Sequence, residues 1–235
     1  ACMLAGTQDG VKAELSKHFK AEEIGEVCCL GRCHENGSFA LNDTNYSAKS
    51  PDEIAAIVAG TEVEAEDNYR VEHDLAEPVR DAELPGLDEY YALWKDVLKR
   101  DSAEVLEEIK TSGIRGRGGA GFPMGLKWES CRNTEDEQKF VVCNADEGDP
   151  GSYIDKWLME KDPFAVIEGI AIAGYAIGAT RGFVYVRSEY PESAPALRRA
   201  VGAARGAGLL GAKILGSAFS FDVDVVEGAG SYVCG

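Results

Sequence analysis

The sequence predicts an α/β fold, and two observations predict it. From about residue 100 onward, stretches with strand patterning alternate with stretches of helical periodicity, which implies layers of helix on sheet. Turn residues and glycine-rich loops punctuate these stretches where the elements would join. Apolar residues make up 45% of the 235-residue chain, enough for a packed core in one to three domains.

The elements follow in order. Val11, Leu15 and Phe19 recur at four-residue spacing and predict a helix near Gln8 to Phe19. A short apolar run from Glu26 to Leu30 leads into CLGRCHENGSF, rich in residues that let a backbone turn tightly. SPDEIAAIVAG starts at Ser50 or Pro51 and closes on Gly60, a helix with start and stop signals. Thr61 to Asp88 is acidic and poor in apolar residues, the composition of a solvated connector. Helical patterning resumes in LDEYYALWKDVLKR and in SAEVLEEIKTSG, where Ser102 is the expected cap and Gly113 the stop. Beyond a glycine-rich loop, KFVVCNA reads as a buried strand and DPFAVIEGIAIAGYAIGAT as a mostly apolar helix. RGFVYVRSEY reads as a strand, PESAPALRRAVGAARGAG as a helix, and FSFDVDVVEGAG alternates like a last strand.

Charge narrows the function classes. A net charge of −17 argues against nucleic acid and anionic membrane surfaces as partners. No run of apolar residues is long enough to span a bilayer, and ACMLAGTQDG lacks the pattern of an export signal, so a soluble, cytoplasmic protein without membrane insertion is expected. Seven cysteines without such a signal point to reduced thiols. Cys2, Cys28, Cys29 and Cys33 cluster near the start as metal-ligand candidates, whereas Cys131 and Cys143 read as core thiols.

Two stretches carry the chemistry. GIRGRGGAGFPMGLKW sets Gly113, Gly116, Gly118, Gly119, Gly121 and Gly125 among Arg115, Arg117 and Lys127. Bare backbone amides and cations in an acidic chain suit a phosphate, and Phe122 and Trp128 suit a stacked heterocycle. Gly116, Gly118 and Gly121 satisfy G-x-G-x-x-G, but a helix precedes them where the dinucleotide fingerprint has a strand; a flexible surface loop is the competing reading, and Phe122 and Trp128 weigh against it. FVVCNADEGDPGSY places Asn144, Asp146, Glu147 and Asp149 at the end of a strand, where α/β sheets present ligands. A flavin edge, ribose hydroxyls, a divalent cation or a plain acidic turn all remain open for it.

SGIRGRGGAGFPMGLKW, VCNADEGDPGSY, RSEYPESAPALRRAVGAARGAGLLG and GAGSYVCG occur in the order that resembles the flavin subunit of the NADH-dehydrogenase module of complex I. NAD-linked hydrogenases and formate dehydrogenases carry related subunits. The resemblance covers roughly Leu106 to Gly235. It implies FMN contacts from Gly116, Arg117, Gly118, Gly119, Lys127, Asn144, Asp146, Glu147, Tyr232 and Gly235. It also implies NAD(H) contacts from Phe122 and Asp149, with Glu147 close to the hydride path. The first residues resemble a thioredoxin-like [2Fe–2S] domain, with Cys2, Cys29 and Cys33 standing where cluster ligands stand. The fold so implied is a thioredoxin-like N-terminal domain (1–58), an acidic linker and helix (59–100) and an α/β FMN-binding domain (101–235). The implied function is hydride transfer between NAD(H) and FMN, with single electrons passed to the iron–sulfur subunits of a multisubunit redox complex. Against the family's pattern the chain is expected to be incomplete at both ends, with a [4Fe–4S] motif beyond residue 235. An inactive structural subunit and a non-redox module for a phosphate ligand are the competing expectations.

Overall fold

The computed structural model describes residues 2–27, 29–61, 63–65 and 86–230. The first unit opens with α1 (Cys2–Ala5) and α2 (Thr7–Leu15), continues through the cysteine-bearing loop to the antiparallel hairpin β1 (Phe39–Leu41) and β2 (Thr44–Tyr46), and ends in α3 (Pro51–Val58). Ser50 caps α3 through a reciprocal pair with Glu53, which satisfies amides that the first turn leaves open. Phe39, Ile54 and Ile57 form a small core, with Val11 and Leu15 of α2 packed against it.

The second unit begins with α4 (Leu87–Tyr90) and α5 (Ala92–Val97). Tyr91 and Trp94 are fully buried in the main core, and the Trp94 indole donates to the Leu209 carbonyl at 3.1 Å. The helical end of the stretch expected as linker and helix therefore packs into the second unit's core. Its acidic portion, residues 66–85, lies outside the described residues. Next come α6 (Ser102–Thr111), capped by Asp101 in place of the expected Ser102, and α7 (Met124–Asn133). They are followed by β3 (Phe140–Ala145), α8 (Ile154–Lys161), α9 (Pro163–Ile177), β4 (Arg181–Val186), α10 (Ser193–Gly206) and β5 (Asp222–Glu227).

The three strands form one parallel sheet in the order β3-β4-β5. One face (Val184, Val186 and Val223) is buried in the main core. Gly182 and Gly174 let the Phe221 ring into that core, since a Cβ on either would lie 2.8 Å or less from the ring. The other face is open. Phe140 and Val142 are exposed, so β3 alternates rather than being buried throughout.

All three strands run the same way, so their carboxyl ends share one edge of the sheet. The turn after β3, the segment after β4 and the Glu227–Gly230 stretch therefore gather at that edge. A six-residue connection separates α7 from β3, and α7 packs against α6 and α9.

Candidate phosphate and flavin site

The glycine-rich loop is a closed structure. Gly113 ends α6 at φ 68°, a conformation that suits glycine. The chain then pairs with itself at the base: the Gly116 amide donates to Phe122 O at 2.8 Å and the Met124 amide to Ile114 O at 2.9 Å. The Arg115 guanidinium donates to Gly121 O at 2.9 Å, so this cation holds the loop together. Arg117 and Lys127 are exposed, and among the described residues neither has an ion-pair or hydrogen-bond partner from its side chain. A Cβ built on Gly118, Gly119 or Gly121 would meet nothing within 4 Å. The tip thus offers bare backbone beside two available cations, which fits the phosphate of a flavin nucleotide.

Two residues of the motif serve packing. Gly125 is buried in α7, where a Cβ would lie 2.6 Å from Lys110 Cα, so its hydrogen lets α6 and α7 touch. Trp128 is partly buried against the main core, so at least part of its ring serves packing. Phe122 is 55% exposed beside the loop and is free to stack on a ligand.

At the end of β3, Asn144 is exposed on the open side of the sheet and its side chain accepts the Asp146 amide at 3.2 Å, which starts the turn. Asp146 is buried and Asp149 exposed. Glu147 sits at φ 46°, a left-handed conformation uncommon for a non-glycine residue. Its carboxylate accepts the Tyr190 hydroxyl at 3.0 Å and the Asp155 amide at the start of α8. Burial holds the Glu147 carboxyl above the usual range, against the lowering effect of the Asp155 amide. Glu147 is therefore locked to the protein, a placement that its motif does not reveal. Tyr232 and Gly235 lie outside the described residues, as do Cys28 and Cys234.

The cysteine loop of the first unit rests on this turn. Cys29 and Cys33 stand 3.2 Å apart, sulfur to sulfur, and the Gly31 amide points at the Cys29 sulfur from 3.3 Å. Burial pushes the Cys29 thiol up, but the amides of Gly151 and Gly31, the Cys33 thiol and the Arg187 charge outweigh it, and the thiol ionises below its ordinary range. Burial and its neighbour Cys29 push Cys33 up to about 11. The pair suits two ligands of a cluster or metal. Among the described residues no group of three or more His, Cys, Asp or Glu is placed to hold a metal ion. Cys131 and Cys143 pack against the main core as expected, and burial raises Cys143 to about 11.

The segment after β4 was not singled out from the sequence as a site, yet it ties these pieces together. Gly228 lies against Tyr185, where a Cβ would be 2.7 Å from the phenol oxygen, and its amide donates to Val186 O at 2.7 Å. This contact sets the Glu227–Gly230 stretch beside Arg187 to Tyr190.

A parallel α/β sheet with an acidic turn and a glycine-bearing segment at its carboxyl edge, together with an open glycine loop, has the parts of a domain for a phosphate-bearing ligand. The family described as the Nuo51 FMN-binding domain matches residues 109–235, more than half of the chain, and the chain belongs to that family. It is 51% identical over 154 residues to the NADP-reducing hydrogenase subunit HndC of Solidesulfovibrio fructosivorans, covering 63% of this chain and 31% of that protein. It is 43% identical over 145 residues to the mitochondrial NADH-ubiquinone oxidoreductase 51 kDa subunit of Neurospora crassa, covering 60% of this chain and 29% of that one. The chain thus spans about a third of the length of these relatives. A crystal structure of an NAD+-reducing [NiFe]-hydrogenase superposes with a TM-score of 0.64 at 26% identity, over 98% of this chain and 41% of the other. No helix among the described residues is long and apolar enough to cross a membrane.

Proposed function

We propose that this chain is the flavin-holding part of an NAD(H)-linked electron-transfer subunit in a multisubunit redox complex. One observation carries the reading: the tip of the glycine-rich loop is open, with bare backbone and two available cations, Arg117 and Lys127. The amides of Gly116, Gly118 and Gly119 with Arg117 and Lys127 hold the FMN phosphate, while Asn144, Asp146, Tyr232 and Gly235 bind the rest of the nucleotide. Phe122 stacks on the nicotinamide nucleotide and Asp149 hydrogen-bonds it. Bound FMN supplies conversion of a hydride pair into single electrons. Glu147, with its carboxyl raised by burial, is the titratable group beside that chemistry. A [2Fe–2S] cluster on Cys29 and Cys33, with Cys2 as a further ligand, in a thioredoxin-like domain over 1–58, takes the electrons onward to iron–sulfur partner subunits. The setting is cytoplasmic, in a complex that is peripheral to any membrane. The names of the relatives support NAD(P)(H) as the soluble reactant.

The test is an anaerobic visible spectrum of the purified protein after incubation with FMN, with iron and acid-released flavin quantified, before and after NADH. Flavin bands that bleach with NADH support the reading. Retained flavin without bleaching favours a non-redox phosphate-ligand module, and a protein that takes up neither flavin nor iron favours a structural subunit.

A further inference from the structure

We propose that Arg187 is a positioning residue that fixes the Glu147 turn of the flavin site and the Cys29–Cys33 loop of the first unit in one register. This rests on the assignment of the Glu147 turn to the flavin site. Arg187 is only 4% exposed, and its two terminal nitrogens diverge. Nη1 donates to the Glu147 carbonyl at 3.0 Å, and Nη2 donates to the Cys29 carbonyl at 2.8 Å. These acceptors belong to different units and lie 40 residues back and 158 residues back in the chain. The guanidinium also pairs with Glu189 at 3.1 Å and stacks on the Tyr190 ring at 5.1 Å, which holds its plane in place.

The surroundings match this role. Glu147 holds a left-handed backbone, and its carbonyl is the atom that Arg187 grips. Its carboxylate is then carried to Tyr190, whose hydroxyl sits 3.0 Å from Glu147 and 3.3 Å from the Ser152 carbonyl. The Tyr190 ring also receives Gly31, where a Cβ would lie 2.7 Å from it, so the CLGRC loop packs directly against this ring. The Gly151 amide, from the flavin-site turn, reaches the sulfurs of Cys29 and Cys33. Further along the same segment the Asn45 amide donates to the Glu189 carbonyl at 2.9 Å, and Arg32 pairs with Glu192 at 3.5 Å. Residues 187–192 are thus the dock for the first unit, and Arg187 bridges it to the turn. A planar fork is needed for this span, because a lysine ammonium is a single point of charge.

The experiment uses the whole chain with Arg187→Gln and Arg187→Lys, and reads amide hydrogen exchange and FMN affinity by flavin fluorescence. In both variants the Gly31 and Gly151 amides should exchange at least about tenfold faster, while Val184 and Val223 in the sheet keep their protection, and FMN should bind about tenfold more weakly. Unchanged exchange at Gly31 and Gly151 in Arg187→Gln, or full rescue by Arg187→Lys, overturns the inference. If Arg187→Gln loses the sheet protection and so fails to fold, Arg187→Lys alone decides by the same criteria. If no variant, nor the parent, takes up FMN, the flavin assignment fails, and the exchange data still decide whether Arg187 joins the two segments.

Discussion

Two alanines in one motif should behave in opposite ways. At Gly118 a new Cβ meets nothing within 4 Å and the backbone is not left-handed, so Gly118→Ala leaves the folded chain unstrained. Its stability should change by no more than about 0.5 kcal/mol. If the loop receives a phosphate through its backbone, the added methyl occupies the ligand's approach, and the dissociation constant for FMN should rise at least about tenfold, or about 1.4 kcal/mol. At Gly125 the Cβ would lie 2.6 Å from Lys110 Cα and 2.8 Å from Lys110 N, which are backbone atoms that cannot swing aside. Helices α6 and α7 must part by about 1 Å to restore ordinary contact. Such overpacking costs about 1–3 kcal/mol, offset by about 1 kcal/mol of helix propensity gained, so the net loss is about 0–2 kcal/mol. At about 2–4 °C per kcal/mol, Gly125→Ala should lower the melting temperature by up to about 8 °C, and Gly118→Ala should barely move it. Thermal denaturation and flavin titration of both variants give the answer. Unchanged FMN affinity in Gly118→Ala refutes a backbone cradle, and a melting loss there as large as that in Gly125→Ala refutes an open tip.

Lys127→Ala should leave the fold intact and weaken FMN by about tenfold to a hundredfold, the worth of a hydrogen bond to a charged group, as read by flavin retained after gel filtration. Burial raises the Glu147 carboxyl in the folded chain, so the native state binds its proton more tightly than the unfolded state. Its contribution is therefore lost as pH rises from about 4 through the raised folded value, and Glu147→Gln should flatten that decline in urea-unfolding free energy. At neutral pH, with no metal bound, iodoacetamide should label Cys29 before Cys33, as peptide mapping will show, because one thiol is lowered and the other raised to about 11. Trp94→Ala should cost about 3–5 kcal/mol by denaturant unfolding, since a fully buried indole and its bond to Leu209 are lost together.

Local signals made most of the fold legible. The Ser50–Glu53 box, Gly113 and Gly178 at helix ends, and the apolar alternation of β4 and β5 are all decided within a few residues of chain. The site was legible where the residue type itself is the chemistry, as in the bare glycines and cations of the loop. It was not legible where one residue type serves two ends. Gly118 and Gly125 look alike in GIRGRGGAGFPMG, and only the approach of Lys110 separates a ligand glycine from a packing glycine. Trp128 likewise looks like a stacking ring, and only the packing of α7 shows that part of it rests on the core. KFVVCNA reads as buried because its residues are apolar, yet half of its side chains fall on the open face of the sheet. Arg187 opens one of the stretches that carry the family resemblance, yet that likeness names no role for it. Its meaning comes from carbonyls far away in sequence, which no local pattern encodes.

That distance has a consequence for biosynthesis. The carbonyl of Cys29 leaves the ribosome long before the guanidinium that grips it, for 158 residues lie between them. At about 5–20 residues per second, roughly 8–32 s pass in which the cysteine loop is translated but its seat on Arg187 and Tyr190 does not yet exist. During that interval its two thiols are exposed to whatever oxidant or metal the compartment offers. The lasting shape of the loop is therefore acquired late, when β4 and the segment behind it join the sheet.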